Sequence, residues 1–405
     1  MNFQARRFHR NALTSGAILL FAALQFGVAM AKTWTVERDG SGDFVVIQDA
    51  VFASSPGDTI LLGPGRFPEH APFQLGVTNY DTYVGIDVDD LAIIGRGAEL
   101  TVVGPTVPEI MGPEPIGFSF GVGVTRLTIQ RVKIENVRSG IYAEGGSLVL
   151  RDSQLSNCRW GTILLNAVDS RISTSTIDSC ETGIAALQAS SGLSISEVIV
   201  NGPGDIAFTI QQSSSNAELA GIDVAGTTTG ISIVSGSSAT IRDARMITTG
   251  VSLGVTGGSV VELASSTLVS DLNAIFVAGQ NSLLLASDSS IRGGSIAAIH
   301  MSTLGQATVS ACDIVRNGAP AVVADDYRLP PIIEIDLRNN FWGTTEADSI
   351  AAWIVDGNDL HDPPLDPNYS NVLFDPFLEQ SIPTVKRSLG SLKASFGLRE
   401  HKEPE

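Results

Sequence analysis

Arg138, Arg159 and Glu181 each stand two residues before a glycine, at Gly140, Gly161 and Gly183. Trp160 falls one residue before its glycine, Tyr142 two after, and Glu144 follows close by. Side chains that recur at one position of a repeat stack on one another when the repeats stack, so these six form a mixed-charge column flanked by rings. Such a column suits sugar binding: rings offer flat apolar contact, and guanidinium and carboxylate groups hydrogen-bond hydroxyls or carboxylates. Arg138, Tyr142, Glu144, Arg159, Trp160 and Glu181 are therefore the candidate substrate-binding residues. The competing reading is solvated charge around a partly buried Trp160. Arg131, Lys133 and Glu135 lie beside the same column and widen the choice of acid and base if catalysis accompanies binding. No residue is assigned a catalytic role.

Other chemistry-bearing residues fit no motif. His70, His300, His361 and His401 have no zinc-site spacing and adjoin no nucleophile signature. No cofactor or metal site is indicated. Ca²⁺ is the one ion the acids suggest, through Asp87, Asp89 and Asp90 or through Asp356, Asp359, Asp362 and Asp366, and neither set has a recognised ligand spacing. Asn136, Asn157, Ser179 and Asn201 make a further column, which reads as structural because stacked amides bond one another and the turn backbone.

The element that must position these residues is a repeat of roughly 22 residues running from about 125 to 332. Each unit reads as a short alternating apolar strand, a polar turn, then Gly followed by Ile or Val. The step recurs at Gly140-Ile141, Gly183-Ile184, Gly230-Ile231 and Gly250-Val251, with variants including Asp205-Ile206 and Ala298-Ile299. A unit this small holds two or three strands and no helix, so it buries its apolar face only by stacking on copies of itself. Between Ala167 and Ala319 the sole proline is Pro203, as ladder strands that must keep their N–H donors require. About ten coils at roughly 4.8 Å each predict a solenoid about 50 Å long.

Residues 1–31 read as a signal peptide, with Arg6, Arg7 and Arg10, an apolar run from Ala17 to Val28 and a small-x-small site at Ala29-Met30-Ala31. The expected location is secreted, periplasmic or cell-surface. Removing that segment leaves 22 Lys plus Arg against 43 Asp plus Glu, a formal charge of −21. This argues against unaided nucleic-acid binding; it suits neutral glycans, while a polyanion would need a local basic patch or bridging metal. No second apolar run is long enough to span a bilayer, so the mature chain carries no transmembrane segment. Oligomeric state is not readable.

Three cysteines are too few to staple a chain of this length. Cys158 and Cys180 each precede their glycine by three residues, so stacked coils set them at strand spacing, within the Cα range of a disulfide. A disulfide and a reduced buried pair are both open, and Cys312 is left over either way.

An amphipathic helix with Ile47, Ala50 and Val51 on one face, capped by Asp43, is the expected N-terminal cap. Thr345-Glu346-Ala347-Asp348 opens a second helix presenting Ile350, Trp353 and Ile354 at the other end. The predicted organisation is a signal peptide at 1–31, a capped solenoid at 32–380 and a flexible or loosely helical basic tail at 381–405.

The segments Asp39-Gly40-Ser41-Gly42-Asp43-Phe44, Gly57-Asp58-Thr59-Ile60-Leu61 and Gly65-Arg66-Phe67-Pro68-Glu69 resemble the first turn of pectin methylesterases, and the repeats resemble the pectin-lyase-like superfamily. Asn339-Asn340-Phe341-Trp342-Gly343-Thr344 is similar to a closing segment of bacterial members. The resemblance implies an all-β, single-stranded right-handed parallel β-helix with short N- and C-terminal capping helices. It implies no activity, since the Gln-Ala-Val-Ala, Gln-Asp-Thr, Asp-Phe-Ile-Phe-Gly and Gly-Arg-Pro-Trp segments of the methylesterases are missing. Three functions remain: binding a polysaccharide or surface glycan, catalysis as a polysaccharide lyase or glycoside hydrolase, or service as a structural or adhesive rod.

Overall fold

The computed structural model describes residues 30–75, 78–107, 115–325, 333–360 and 370–382. The predicted tail beyond 382, almost all of the signal segment, His361, His401, Asp362 and Asp366 lie outside them. Each regular coil has three strands, as in Ser147–Arg151, Gln154–Ser156 and Trp160–Leu165. Among the described residues, the first strands of successive coils stack in a 14-stranded sheet, and the second and third strands together make a 22-stranded sheet. Strands of neighbouring coils pair parallel and in register. Among the described residues the one antiparallel pair is Ala71–Leu75 with Thr78–Ile86.

The apolar alternation becomes columns running up the interior. Ile141, Thr162, Ile184, Phe208, Ile231 and Leu253 are successive in-register partners, all buried. The glycine of the Gly-Ile step answers a close approach between coils. A β-carbon on Gly140 would lie 2.6 Å from the Gly161 carbonyl oxygen, and one on Gly183 would lie 2.4 Å from that of Ala207.

Corners explain the serine-rich composition. The Ser259 hydroxyl donates to the Thr256 carbonyl at 2.7 Å and accepts the Ser237 N–H of the previous coil at 3.2 Å. Ser266 and Ser289 repeat this at another corner, where the Ser266 N–H donates to the Ser289 hydroxyl at 3.1 Å and each hydroxyl also donates to a carbonyl of its own coil. Ser190, Ser214, Ser237, Ser259, Ser266 and Ser289 are buried and satisfy the backbone where it bends. The Asn column behaves similarly: Asn157 Nδ2 donates to Asn136 Oδ1 at 3.3 Å, and Asn136 Nδ2 to the Pro105 carbonyl at 3.0 Å.

The helix Ile47–Ala53 buries Ile47, Ala50 and Val51 as expected. Asp43 does not cap it; its carboxylate accepts from the Thr35 N–H and hydroxyl, both at 2.9 Å. The C-terminal helix is shorter than expected, Ala347–Ala351, without a side-chain cap. Ile350 is buried on it, whereas Ile354 belongs to a strand pairing with Val322–Ala324. The three cysteines are buried free thiols.

Candidate functional site

At the corner between second and third strands an open cleft of about 990 Å³ spans five coils. Arg159, Glu181, Asp205, Thr228 and Thr249 line it, one per coil, with Cys158, Pro203, Gly204 and Gly226 among the backbone-rich walls. Four spacings of about 4.8 Å make it roughly 19 Å long.

The cleft exists because the corner is widened there. Asp178 pairs with Asn201, an offset of 23 residues, while Thr182 pairs with Ile206, an offset of 24. The extra residue sits in Gly202-Pro203-Gly204, and the register against the following coil shifts back between Asn201 and Gly204. This is a bulge. Pro203 brings no N–H to the ladder, and Gly202 takes φ of +95°, conformations natural to a break in strand pairing. Around it the strands Ile199–Ile210 and Asp223–Ile233 run through the corner without a break, unlike those of neighbouring coils.

Backbone bonds fix the charged column across this corner. Arg138 O accepts the Trp160 N–H at 2.8 Å, Arg159 O the Thr182 N–H at 2.9 Å, and Glu181 O the Asp205 N–H at 2.7 Å. The Arg159 Nε lies 3.3 Å from Glu181 Oε2, with both side chains about half exposed. Asp205 is the next carboxylate in register and is exposed. The cleft therefore offers one cation against two anions, followed by two hydroxyls.

The six residues expected at one site divide. Arg159 and Glu181 line the cleft, with Arg138 one coil before Arg159. Trp160 is half-buried beside Arg159, in register with Thr182 and outside the continuous core. Tyr142 and Glu144 do not join the cleft; they lie on the outer side of Ser139–Glu144, where the Tyr142 ring meets Tyr80 at 5.4 Å between centroids. Asp205 was missed for a physical reason. Matching Asp205-Ile206 to the Gly-Ile step ignores the bulge, and register shows that Ala207-Phe208 occupies that step. Gly250-Val251 is displaced likewise, its true counterpart being Ser252-Leu253.

Around Glu135 the charges are spent on structure. Arg66 and Lys133 contact its two carboxylate oxygens at 2.5 and 2.6 Å. Burial alone would raise its pKa, but hydrogen bonds from Lys133 and Arg66 outweigh it and hold the carboxyl below the ordinary glutamate range. The loop acids are similarly engaged: Asp89 accepts from the Thr125 N–H and hydroxyl, and Asp90 from Arg126. His70 pairs with Asp81 and His300 with Asp325. Among the described residues no group of three or more His, Cys, Asp or Glu is placed to hold a metal ion.

The right handed beta helix region family matches residues 120–268. The mannuronan C-5 epimerase AlgE4 A-module of Azotobacter vinelandii superposes with a TM-score of 0.53 at 11% identity, over 69% of this chain and 85% of that one. The fold is a right-handed parallel β-helix. The AlgE6 A-module of the same organism aligns with the β-helix at 14% identity and a TM-score of 0.49, covering 83% and 93% of the two chains. An alginate lyase from a Paenibacillus species aligns at 13% identity and 0.42, covering 72% and 97%. No curated protein matches the β-helix by sequence. No helix among its described residues is long and apolar enough to cross a membrane.

Proposed function

We propose that this β-helix is an exported protein that binds an uncharged polysaccharide along the corner cleft. The observation that carries the reading is the bulge-widened cleft, with Arg159, Glu181, Asp205, Thr228 and Thr249 presented one per coil. An extended chain of sugars laid along the coil axis meets a new polar group at every coil, so hydroxyls along its length find partners in turn. Export is supported by the basic start and apolar run of residues 1–31.

The charge balance supports an uncharged ligand. Glu181 occupies Arg159, Asp205 adds a second carboxylate, and the chain as a whole has a formal charge of −18. A polyuronate, the ligand class that mannuronan represents, would meet net repulsion. Catalysis is a second reading with one observation in its favour: Glu181 and Asp205 are exposed carboxylates on adjacent coils, the residue types of a general acid and base.

Isothermal titration of the purified protein against neutral and uronate polysaccharides tests the reading. Saturable binding of a neutral glycan is expected, weakened about tenfold in Arg159→Ala, which corresponds to loss of one charge-assisted contact. Binding that favours polyuronate, or that is the same in Arg159→Ala and Glu181→Gln, would refute it. Release of new sugar ends during the titration would establish the catalytic reading.

A further inference from the structure

Cys158 lines the cleft, and Cys180 stacks on it in the next coil. Their strands pair in register, Ser156 with Asp178, and the two cysteines follow at the same interval. At the strand spacing of about 4.8 Å their Cα separation falls inside the range of about 4.4–6.8 Å that a disulfide spans. Both are buried; the Cys158 thiol donates to the Ser156 carbonyl at 3.3 Å and the Cys180 thiol to the Asp178 carbonyl at 3.7 Å. Cys158 also borders the cleft, which gives a small oxidant a way in. Cys312 is different: it is buried far along the chain, its backbone N–H held by Asn340 and its thiol pushed up to about 12 by burial.

We propose that Cys158 and Cys180 are a redox modification site, closed to a disulfide by a low-molecular-weight disulfide oxidant, while Cys312 stays reduced. In the first step the thiolate of one cysteine attacks the oxidant's S–S bond, forming a mixed disulfide and releasing one small thiolate. The second cysteine then loses its proton and displaces the other small thiol. Two protein thiols and one small disulfide become one protein disulfide and two small thiols, with no electrons left over. The neighbouring Cys158 holds the Cys180 thiol below its ordinary range, which eases the first deprotonation. The bond would join the two coils immediately beside Arg159 and Glu181, fixing the cleft floor.

The protein is equilibrated with glutathione disulfide or with a reductant, then denatured, and its thiols are counted and its tryptic peptides weighed. One thiol is expected after oxidation against three after reduction, with a mass lower by two hydrogens. Trypsin cuts between the cysteines, so a linked pair of peptides, 152–159 with 172–242, is expected. Cys158→Ser should form no linked peptide pair under oxidation and should hold at most a trapped glutathione adduct on Cys180, whereas Cys312→Ser should lose both of its thiols to the disulfide. Three thiols persisting in the oxidised wild type, stable glutathione adducts on the wild type, or a linkage through Cys312 would overturn the assignment. These readouts need no glycan, so failure here is distinct from failure of the binding reading.

Discussion

Arg159 and Glu181 are successive members of one column, and their Nε to Oε2 distance of 3.3 Å joins two coils across the floor of the cleft. At 45% and 48% exposure the pair is well screened by water. Arg159→Ala is therefore expected to change unfolding free energy by no more than about 0.5 kcal/mol, measured by urea denaturation. Loss of glycan affinity with stability intact marks a binding residue; a loss of several kcal/mol would mark a structural one.

Gly183→Ala places a methyl group where the Ala207 carbonyl already stands, at 2.4 Å. The coils must separate locally to admit it. The expected cost is about 1–3 kcal/mol, seen as a lower denaturation midpoint with an unchanged slope. A neutral result would show that the coil spacing relaxes freely.

Thr162 interrupts an otherwise apolar column between Ile141 and Ile184, and its buried hydroxyl has no hydrogen-bond partner. Replacing it by valine removes the stranded hydroxyl at nearly constant shape. Thr162→Val is expected to stabilise the fold by about 1 kcal/mol. A melting temperature equal to or below that of wild type would contradict this.

Glu135 links stability to pH. Its folded-state pKa lies below the ordinary range because Lys133 and Arg66 outweigh the effect of burial. A carboxyl with a depressed folded pKa contributes its full stabilisation above the unfolded value, about 4.3 for glutamate, and loses it as pH falls through the folded value. Denaturation midpoints measured from pH 7 downward should show a steeper acid decline in wild type than in Glu135→Gln. At neutral pH that variant is expected to be less stable by about 2–4 kcal/mol, since two cations lose a buried partner. Parallel acid profiles for the two proteins would remove Glu135 as a source of the slope.

The coils were legible because the constraint that shapes them is local and repeated. Ile141, Ile184 and Ile231 each follow a glycine at a constant place in the unit, and Gly140, Gly161 and Gly183 mark close approaches between coils. The lining of the cleft was legible in part. Arg138, Arg159 and Glu181 share a constant position in units of nearly equal length, so counting from the glycine placed them in one column. Asp205 lies beyond the one-residue bulge at Gly202-Pro203-Gly204, where counting fails. Tyr142 and Glu144 lie away from the cleft for another reason: four and six residues after Arg138 the chain has turned the corner onto a different outer face.

The amino-acid sequence by itself determined that the chain stacks short strands into a solenoid, because only stacking buries a 22-residue unit with one apolar face. It also set which residues can share a column within runs of equal repeats. Tertiary structure decided where a cleft opens, which buried serines serve the corners and which acids are consumed by ion pairs. Those outcomes depend on register between coils, and a single added residue shifts that register without altering the apolar pattern around it.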